Sequence, residues 1–181
     1  VEIRLPNQQC MIRAEPVLEI MKASGIRMAV QRKNILVSPS RYRGLEYSVP
    51  KEISVAAPFV IGSLLVEKQV EVRCRDETPR DREFLELLKN MGVVVHRRRH
   101  TIFLNAERLR GRALNLSSVP ELVPFFAVLG VFARGKTRIG GAQEARNMKT
   151  DRIAAIVRAL KIMGAKIVET PDGLVVKGTH K

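Results

Sequence analysis

The sequence predicts an α/β (α+β) fold of repeated β-α-β-α-β-β units, in which mixed sheets pack against helices. Three observations carry this. An apolar helical run that ends in Gly and leads into a hairpin recurs three times, with the glycines at 25, 92 and 164. A strand–apolar helix–strand stretch recurs twice. The strands themselves are short runs rich in Val and Ile, bounded by turn residues.

The first copy of the pattern is Ile20-Met21-Lys22-Ala23-Ser24-Gly25-Ile26, then basic residues, then Asn34-Ile35-Leu36-Val37. Gly25 is expected to take the left-handed conformation that ends a helix. The first matched stretch follows. Tyr47-Ser48-Val49-Pro50-Lys51-Glu52-Ile53 reads as a strand leading into a helix over 56–66, then a strand from Gln69 to Val72. An amphipathic helix over 81–90 ends in the second copy, Leu87-Leu88-Lys89-Asn90-Met91-Gly92-Val93, whose hairpin closes with Thr101-Ile102-Phe103-Leu104. The second matched stretch runs from Leu116-Ser117-Ser118-Val119-Pro120-Glu121-Leu122 through a helix over 123–133 to a strand at Lys136-Thr137-Arg138-Ile139. A helix over 150–163 places Ile153, Ile156, Val157 and Leu160 on one face, with Asp151 suited to its N-terminal dipole. The third copy is Ala159-Leu160-Lys161-Ile162-Met163-Gly164-Ala165, and Asp172-Gly173 reads as its two-residue hairpin turn. The chain therefore divides into a partial unit over 1–44 (helix plus hairpin) and full units over 45–112 and 113–181. Strands of successive units are expected to pair, with the apolar first helices buried between sheets and the amphipathic second helices outside.

Composition narrows the function classes. The chain has 181 residues, 45% hydrophobic and 28% charged, which is globular and not disordered. Its longest apolar stretch, over 119–133, is broken by Pro120, Glu121, Pro124 and Gly130 and falls short of the ~20 residues a membrane helix needs. Glu2 and Arg4 interrupt any secretory leader. Cys10 and Cys74 have no metal-site or disulfide-framework spacing, so a reducing cytoplasm fits. The net charge of +14 favours an anionic partner: nucleic acid, an acidic membrane surface or a small phosphorylated or carboxylated ligand. Aromatics at 4% weaken the single-stranded nucleic-acid reading, which calls for stacking platforms. The densest cluster, His96-Arg97-Arg98-Arg99-His100, reads as a hairpin tip that is either solvated or in contact with phosphate. Met21, Met91 and Met163 read as core, and Ser54 as a helix cap.

Four stretches in order resemble the 5-enolpyruvylshikimate-3-phosphate synthase (3-phosphoshikimate 1-carboxyvinyltransferase) family. They are Ser48-Val49-Pro50-Lys51-Glu52-Ile53-Ser54-Val55-Ala56-Ala57; Ser118-Val119-Pro120-Glu121-Leu122 with Ala133-Arg134-Gly135-Lys136-Thr137; Arg146-Asn147-Met148-Lys149-Thr150-Asp151-Arg152-Ile153; and Gly164-Ala165-Lys166-Ile167 with Asp172-Gly173-Leu174. The resemblance implies a fold of two domains, each of three β-α-β-α-β-β units, of which this sequence corresponds to the end of one domain and two units of the other. It also implies a reaction: transfer of the enolpyruvyl group of phosphoenolpyruvate to the 5-hydroxyl of shikimate 3-phosphate, in aromatic amino acid biosynthesis. No metal or organic cofactor is implied. The chemistry needs acid–base groups and a cradle of cations.

The resemblance also assigns positions. The family's catalytic Asp falls at Asn115, and its substrate-contacting Lys and proton-transferring Glu fall at Met148 and Lys149. The family's phosphoenolpyruvate-binding Arg is retained as Arg152, with Asp151 or Glu144 as ion-pair partners in the purely structural reading. Cys10 and Arg13 fall at substrate-contacting positions in the N-terminal part. The family's "G-S-K-S" and "D-H-R" segments and its final Lys-bearing repeat have no counterpart here. These features leave three readings. One is a family member that is inactive or incomplete as this chain alone. Another is a non-catalytic basic repeat domain that binds a phosphorylated ligand, a protein partner or nucleic acid. The third is a chain completed by a second copy or a complementing chain at an open sheet edge.

Overall fold

Every copy of the helix–Gly–hairpin pattern ends its helix in the same way. Gly25, Gly92 and Gly164 have φ of 87°, 92° and 87°. In each, the next residue's N–H reaches back five residues, Ile26 to Met21, Val93 to Leu88 and Ala165 to Leu160, while the Gly N–H bonds the carbonyl three back. This is the Schellman arrangement, and the left-handed glycine is what permits it. The computed structural model describes all residues except Asn7, Pro50, Lys51, Arg75, His180 and Lys181, and the side chains of Gln8, Gln9, Ile12 and Arg13.

The chain forms two compact units, Val1–Pro50 and Lys51–Lys181. The first contains β1 (Glu2–Arg4), α1 (Gln8–Ala23), β2 (Met28–Gln31) and β3 (Asn34–Val37), in an antiparallel sheet of order β1-β3-β2. The helix-plus-hairpin expected over 1–44 thus gains a strand, because Glu2, Ile3 and Arg4 pair with Leu36, Ile35 and Asn34. Residues 38–49 form no strand, so the strand expected ahead of the next helix is absent. Pro50 and Lys51 of that motif lie outside the described residues.

The second unit begins with α2 (Ala57–Val66), β4 (Gln69–Arg73), α3 (Pro79–Asn90), β5 (Val94–Arg98) and β6 (Thr101–Asn105), in a sheet of order β4-β6-β5. It continues with β7 (Ala113–Asn115), α4 (Val123–Phe132), β8 (Lys136–Gly140), α5 (Arg152–Ile162), β9 (Lys166–Thr170) and β10 (Gly173–Lys177), in a sheet of order β7-β8-β10-β9. Only β7–β8 is parallel, which makes this one sheet mixed. Each β-α-β-β segment keeps its own sheet with the last strand in the middle. Among the described residues, the expected strand pairing between successive units is confined to a single bridge, Arg110 to Arg134.

What unites the second unit is its core. Residues from both segments form one buried cluster, and Phe84 of α3 meets Phe126 of α4 edge-to-face, with centroids 5.9 Å apart. Gly130 of α4 lies so close to Val176 and Thr137 that a Cβ there would overlap them, and this lets the helix settle onto β8 and β10. Burial of α2 is one-sided: Ala57, Val60, Ile61 and Leu64 point inward, while Phe59 is 78% exposed, against the expectation of a helix covered all round.

Four further expectations are corrected. The third hairpin's two-residue loop is Pro171-Asp172, since Gly173 already pairs with Thr170. Gly173 is small for a different reason, its approach to the backbone of Ile139. Ser54 does not cap α2; its N–H donates to Asp81 and its hydroxyl to Glu52, and the N-cap of α2 is Ala56, which offers no side-chain bond. Met91 is buried and Met21 half-buried, but Met163, at the C-terminal end of α5, is 80% exposed. The tip of the second hairpin is Arg99-His100 alone. His96, Arg97 and Arg98 belong to β5, and Arg97 forms a two-bonded pair with Glu77 at 2.6 and 2.9 Å.

Candidate active site

The parallel pair β7–β8 sets the geometry. Asn115 ends β7 opposite Gly140 at the end of β8. Parallel strands carry their following helices back across the sheet, so helix N-termini gather beyond the strands' C-terminal ends, where ligands of α/β proteins commonly bind. Here a 3-10 turn over Pro120–Leu122 and then α4 follow β7, and a 3-10 turn over Gln143–Arg146 and then α5 follow β8.

Asn115 is exposed, and its Oδ1 accepts the Ser117 N–H at 3.0 Å. Gly141, at φ 70°, packs against the same Oδ1 with no room for a Cβ. The Gly141 N–H donates to Asp172 Oδ2 at 3.0 Å, and Thr170 Oγ1 donates to Asp172 Oδ1 at 3.2 Å. The Gly141 N–H holds the Asp172 carboxyl below its ordinary value, helped by Thr170 and the charge of Arg138.

Arg146 organises the next segment. Its Nε donates to the Pro171 carbonyl at 3.0 Å and its Nη2 to the Thr170 carbonyl at 2.6 Å. Its Nη1 bonds Asp151 at 2.9 Å and Glu169 at 2.7 Å. One planar guanidinium therefore ties the β9–β10 turn to the start of α5. Asp151 is the N-cap of α5 and accepts the Ala154 N–H at 2.9 Å. That bond is the first cause of its lowered pKa, with Arg146 adding to it. The Arg146–Asp151 pair closes a short loop, residues 147–150, which presents Met148 half-buried and Lys149 exposed.

Arg152 is the first helical residue of α5, and its Nη1 donates to the Glu121 carbonyl at 3.3 Å, bridging to the turn after β7. It does not pair with Asp151, whose carboxylate is taken by Arg146 and the Ala154 N–H. Lys149 has no ion pair among the described residues. Asn115 at the end of β7, and Met148, Lys149 and Arg152 on the segment that follows β8, thus all belong to the second unit. Cys10, half-buried on α1, belongs to the first unit, as does Arg13, whose side chain lies outside the described residues. Sequence reasoning did not single out Arg146, Gly141 or Asp172 as neighbours of the site. It also missed Asp81, a fully buried carboxylate that accepts the N–H groups of Ser54 and Thr78. The run Thr78-Pro79-Arg80-Asp81 does carry a capping-box signal. Among the described residues no cluster of His, Cys, Asp and Glu could hold a metal ion, and no helix is long and apolar enough to cross a membrane.

Residues 2–181 match the EPSP synthase (3-phosphoshikimate 1-carboxyvinyltransferase) family. The chain belongs to this family. It is 32% identical to the 3-phosphoshikimate 1-carboxyvinyltransferase of Methanothermobacter thermautotrophicus over 165 residues, 89% of this chain and 39% of the relative. It is 35% identical to that of Methanococcus vannielii over 143 residues, 77% of this chain and 33% of the relative. A solved EPSP synthase from Acinetobacter baumannii superposes with a TM-score of 0.70 at 28% identity, covering 91% of this chain and 40% of that one. The chain spans about 40% of the length of such EPSP synthases.

Proposed function

We propose that this chain keeps the anion-holding part of an enolpyruvyl transferase site and lacks its proton-transfer groups. It would bind shikimate 3-phosphate and phosphoenolpyruvate without converting them by itself. One observation carries this reading: the segments beyond β7 and β8 hold Arg152, Lys149 and the N-terminus of α5, with Asn115 and Lys149 at the positions where the family resemblance expects an Asp and a Glu. Cations and a helix N-terminus suit phosphate and carboxylate. Enolpyruvyl transfer also requires a proton delivered to the methylene carbon of phosphoenolpyruvate and one removed from the attacking hydroxyl. An amide cannot take that proton, and an ammonium stands where a carboxylate is called for. Arg152 is the proposed phosphoenolpyruvate contact, with Met148 as a further substrate-side position in the second unit; for the first unit the resemblance alone proposes Cys10 and Arg13 as substrate-contacting. Family membership, and two cysteines without metal-site or disulfide-framework spacing, support a cytoplasmic location.

Calorimetric titration with shikimate 3-phosphate, with and without phosphoenolpyruvate, tests the binding half. Micromolar binding that weakens about tenfold in R152Q is expected. No heat at millimolar ligand removes the reading. A phosphate-release assay tests the other half: steady release that depends on shikimate 3-phosphate would show that the chain is catalytic after all.

A further inference from the structure

The outer face of the four-stranded sheet carries an arrangement that the enolpyruvyl reading does not use. Lys136 of β8 pairs directly with Lys177 of β10, and Lys177 pairs directly with Lys166 of β9. Three exposed ammonium side chains therefore stand side by side across three strands. Like charges directly opposite one another in a sheet are destabilising. None of the three has an ion-pair partner among the described residues. The next positions on the same face are Arg138, Val175 and Val168, which pair in turn and bring no carboxylate. Lys161 of α5 joins the three lysines in lining a shallow cleft of about 350 Å³, floored by Val168 and Val175. On the far side, Arg112 lies alongside β8 through the bond from the Arg138 N–H to its carbonyl.

We propose that this lysine row is a binding site for a linear oligophosphate, distinct from the site beyond β7 and β8. Strands lie ~4.8 Å apart, so the row is about 10 Å long. A single phosphate or sulfate neutralises one or two of its charges, whereas a chain of phosphoryl groups spans all three. Ammonium groups are compact point charges that hold phosphoryl oxygens without the planar match a guanidinium makes to carboxylates. The Val floor offers no aromatic ring on which a base could stack, and this favours an oligophosphate over single-stranded nucleic acid.

The test uses the full chain at about 20 mM salt, where screening is weak. Tripolyphosphate is the probe, read by calorimetry and by melting temperature, with orthophosphate at equal charge and a short oligothymidylate as comparisons. K177Q removes the central charge, and K22Q on α1 removes one charge elsewhere. Without ligand, K177Q is expected to melt about 2 °C higher than the parent, because two repulsive pairs are relieved. With tripolyphosphate it is expected to bind about threefold more weakly and to lose most of the ligand-induced rise, while K22Q matches the parent. K166Q, on the edge strand β9, gives the same readout from one pair if K177Q folds poorly. Equal binding by the parent, K177Q and K166Q overturns the proposal. So does an equal effect of orthophosphate, which would show screening without a site. Tighter, row-dependent binding of the oligothymidylate would assign the row to nucleic acid instead.

Discussion

Arg146 shows how much one side chain can organise. Its guanidinium satisfies two carbonyls of the β9–β10 turn and two carboxylates, and it is the clamp that closes the loop 147–150, which bears Lys149. These bonds are partly solvated, so R146A is expected to cost on the order of 1 kcal/mol, roughly 2–4 °C in Tm. R146K is expected to recover little of it, since one ammonium cannot reproduce the fork. Thermal unfolding of the three proteins checks this; full recovery by lysine would mean that charge alone matters. The residue was legible as part of a motif, but its partners were not. Glu169, Thr170 and Pro171 come to it only because β9 returns beside the start of α5, more than 20 residues along the chain.

Among the elements, two of the three glycine-ended helices offer a graded test. Gly92 and Gly164 share the left-handed conformation, so alanine at either carries its strain of ~1–2 kcal/mol. They differ in surroundings. A Cβ on Gly92 would stand 2.7 Å from the Arg108 carbonyl oxygen, while Gly164 opens onto free space. G92A is therefore expected to destabilise more than G164A, by chemical denaturation at neutral pH; equal losses would mean that backbone strain is the whole cost. The helix–Gly–hairpin pattern was readable because a C-cap glycine and alternating strands are local signals. The missing strand before α2 was not, because Tyr47-Ser48-Val49 resembles a strand locally and needs a partner edge to become one.

Across the whole molecule, depressed carboxylate pKa values set the acid limit of stability. The Arg97 bond lowers Glu77 from its ordinary 4.5, and the Ala154 and Gly141 N–H groups lower Asp151 and Asp172 from 3.8. A group whose folded pKa is depressed contributes stability that is fully present above its unfolded value and is lost as pH falls through the folded one. Stability is thus expected to hold down to about pH 4.5 and to decline below it. D151N should show a shallower decline between about pH 4.5 and 2, with a lower plateau at neutral pH. The +14 charge acts in the same direction, since protonating carboxylates adds to an existing excess of cations. Urea melts across that range check this; an unchanged slope in D151N would remove Asp151 from the account.

The sequence by itself determined the repeat, the glycine-terminated helix C-termini, the buried face of α5 and the family, because each is written in spacing and residue type over short stretches. The family resemblance, aligned on Pro120 and Asp151, implies that Asn115, Met148 and Lys149 fall at the family's acid–base and substrate positions, and the proposed function rests on that assignment. Tertiary structure alone decided that β1 joins the first hairpin, that each segment keeps its own sheet, and that α2 leaves Phe59 uncovered. It alone brought Arg146 to Asp151 and Glu169, and placed Lys136, Lys177 and Lys166 in one row. The physical reason is the same in each case. Strand pairing and side-chain bonding between residues far apart in the chain depend on register and on how sheets fold back, and a one-residue change in register would move every side chain of a strand to the other face.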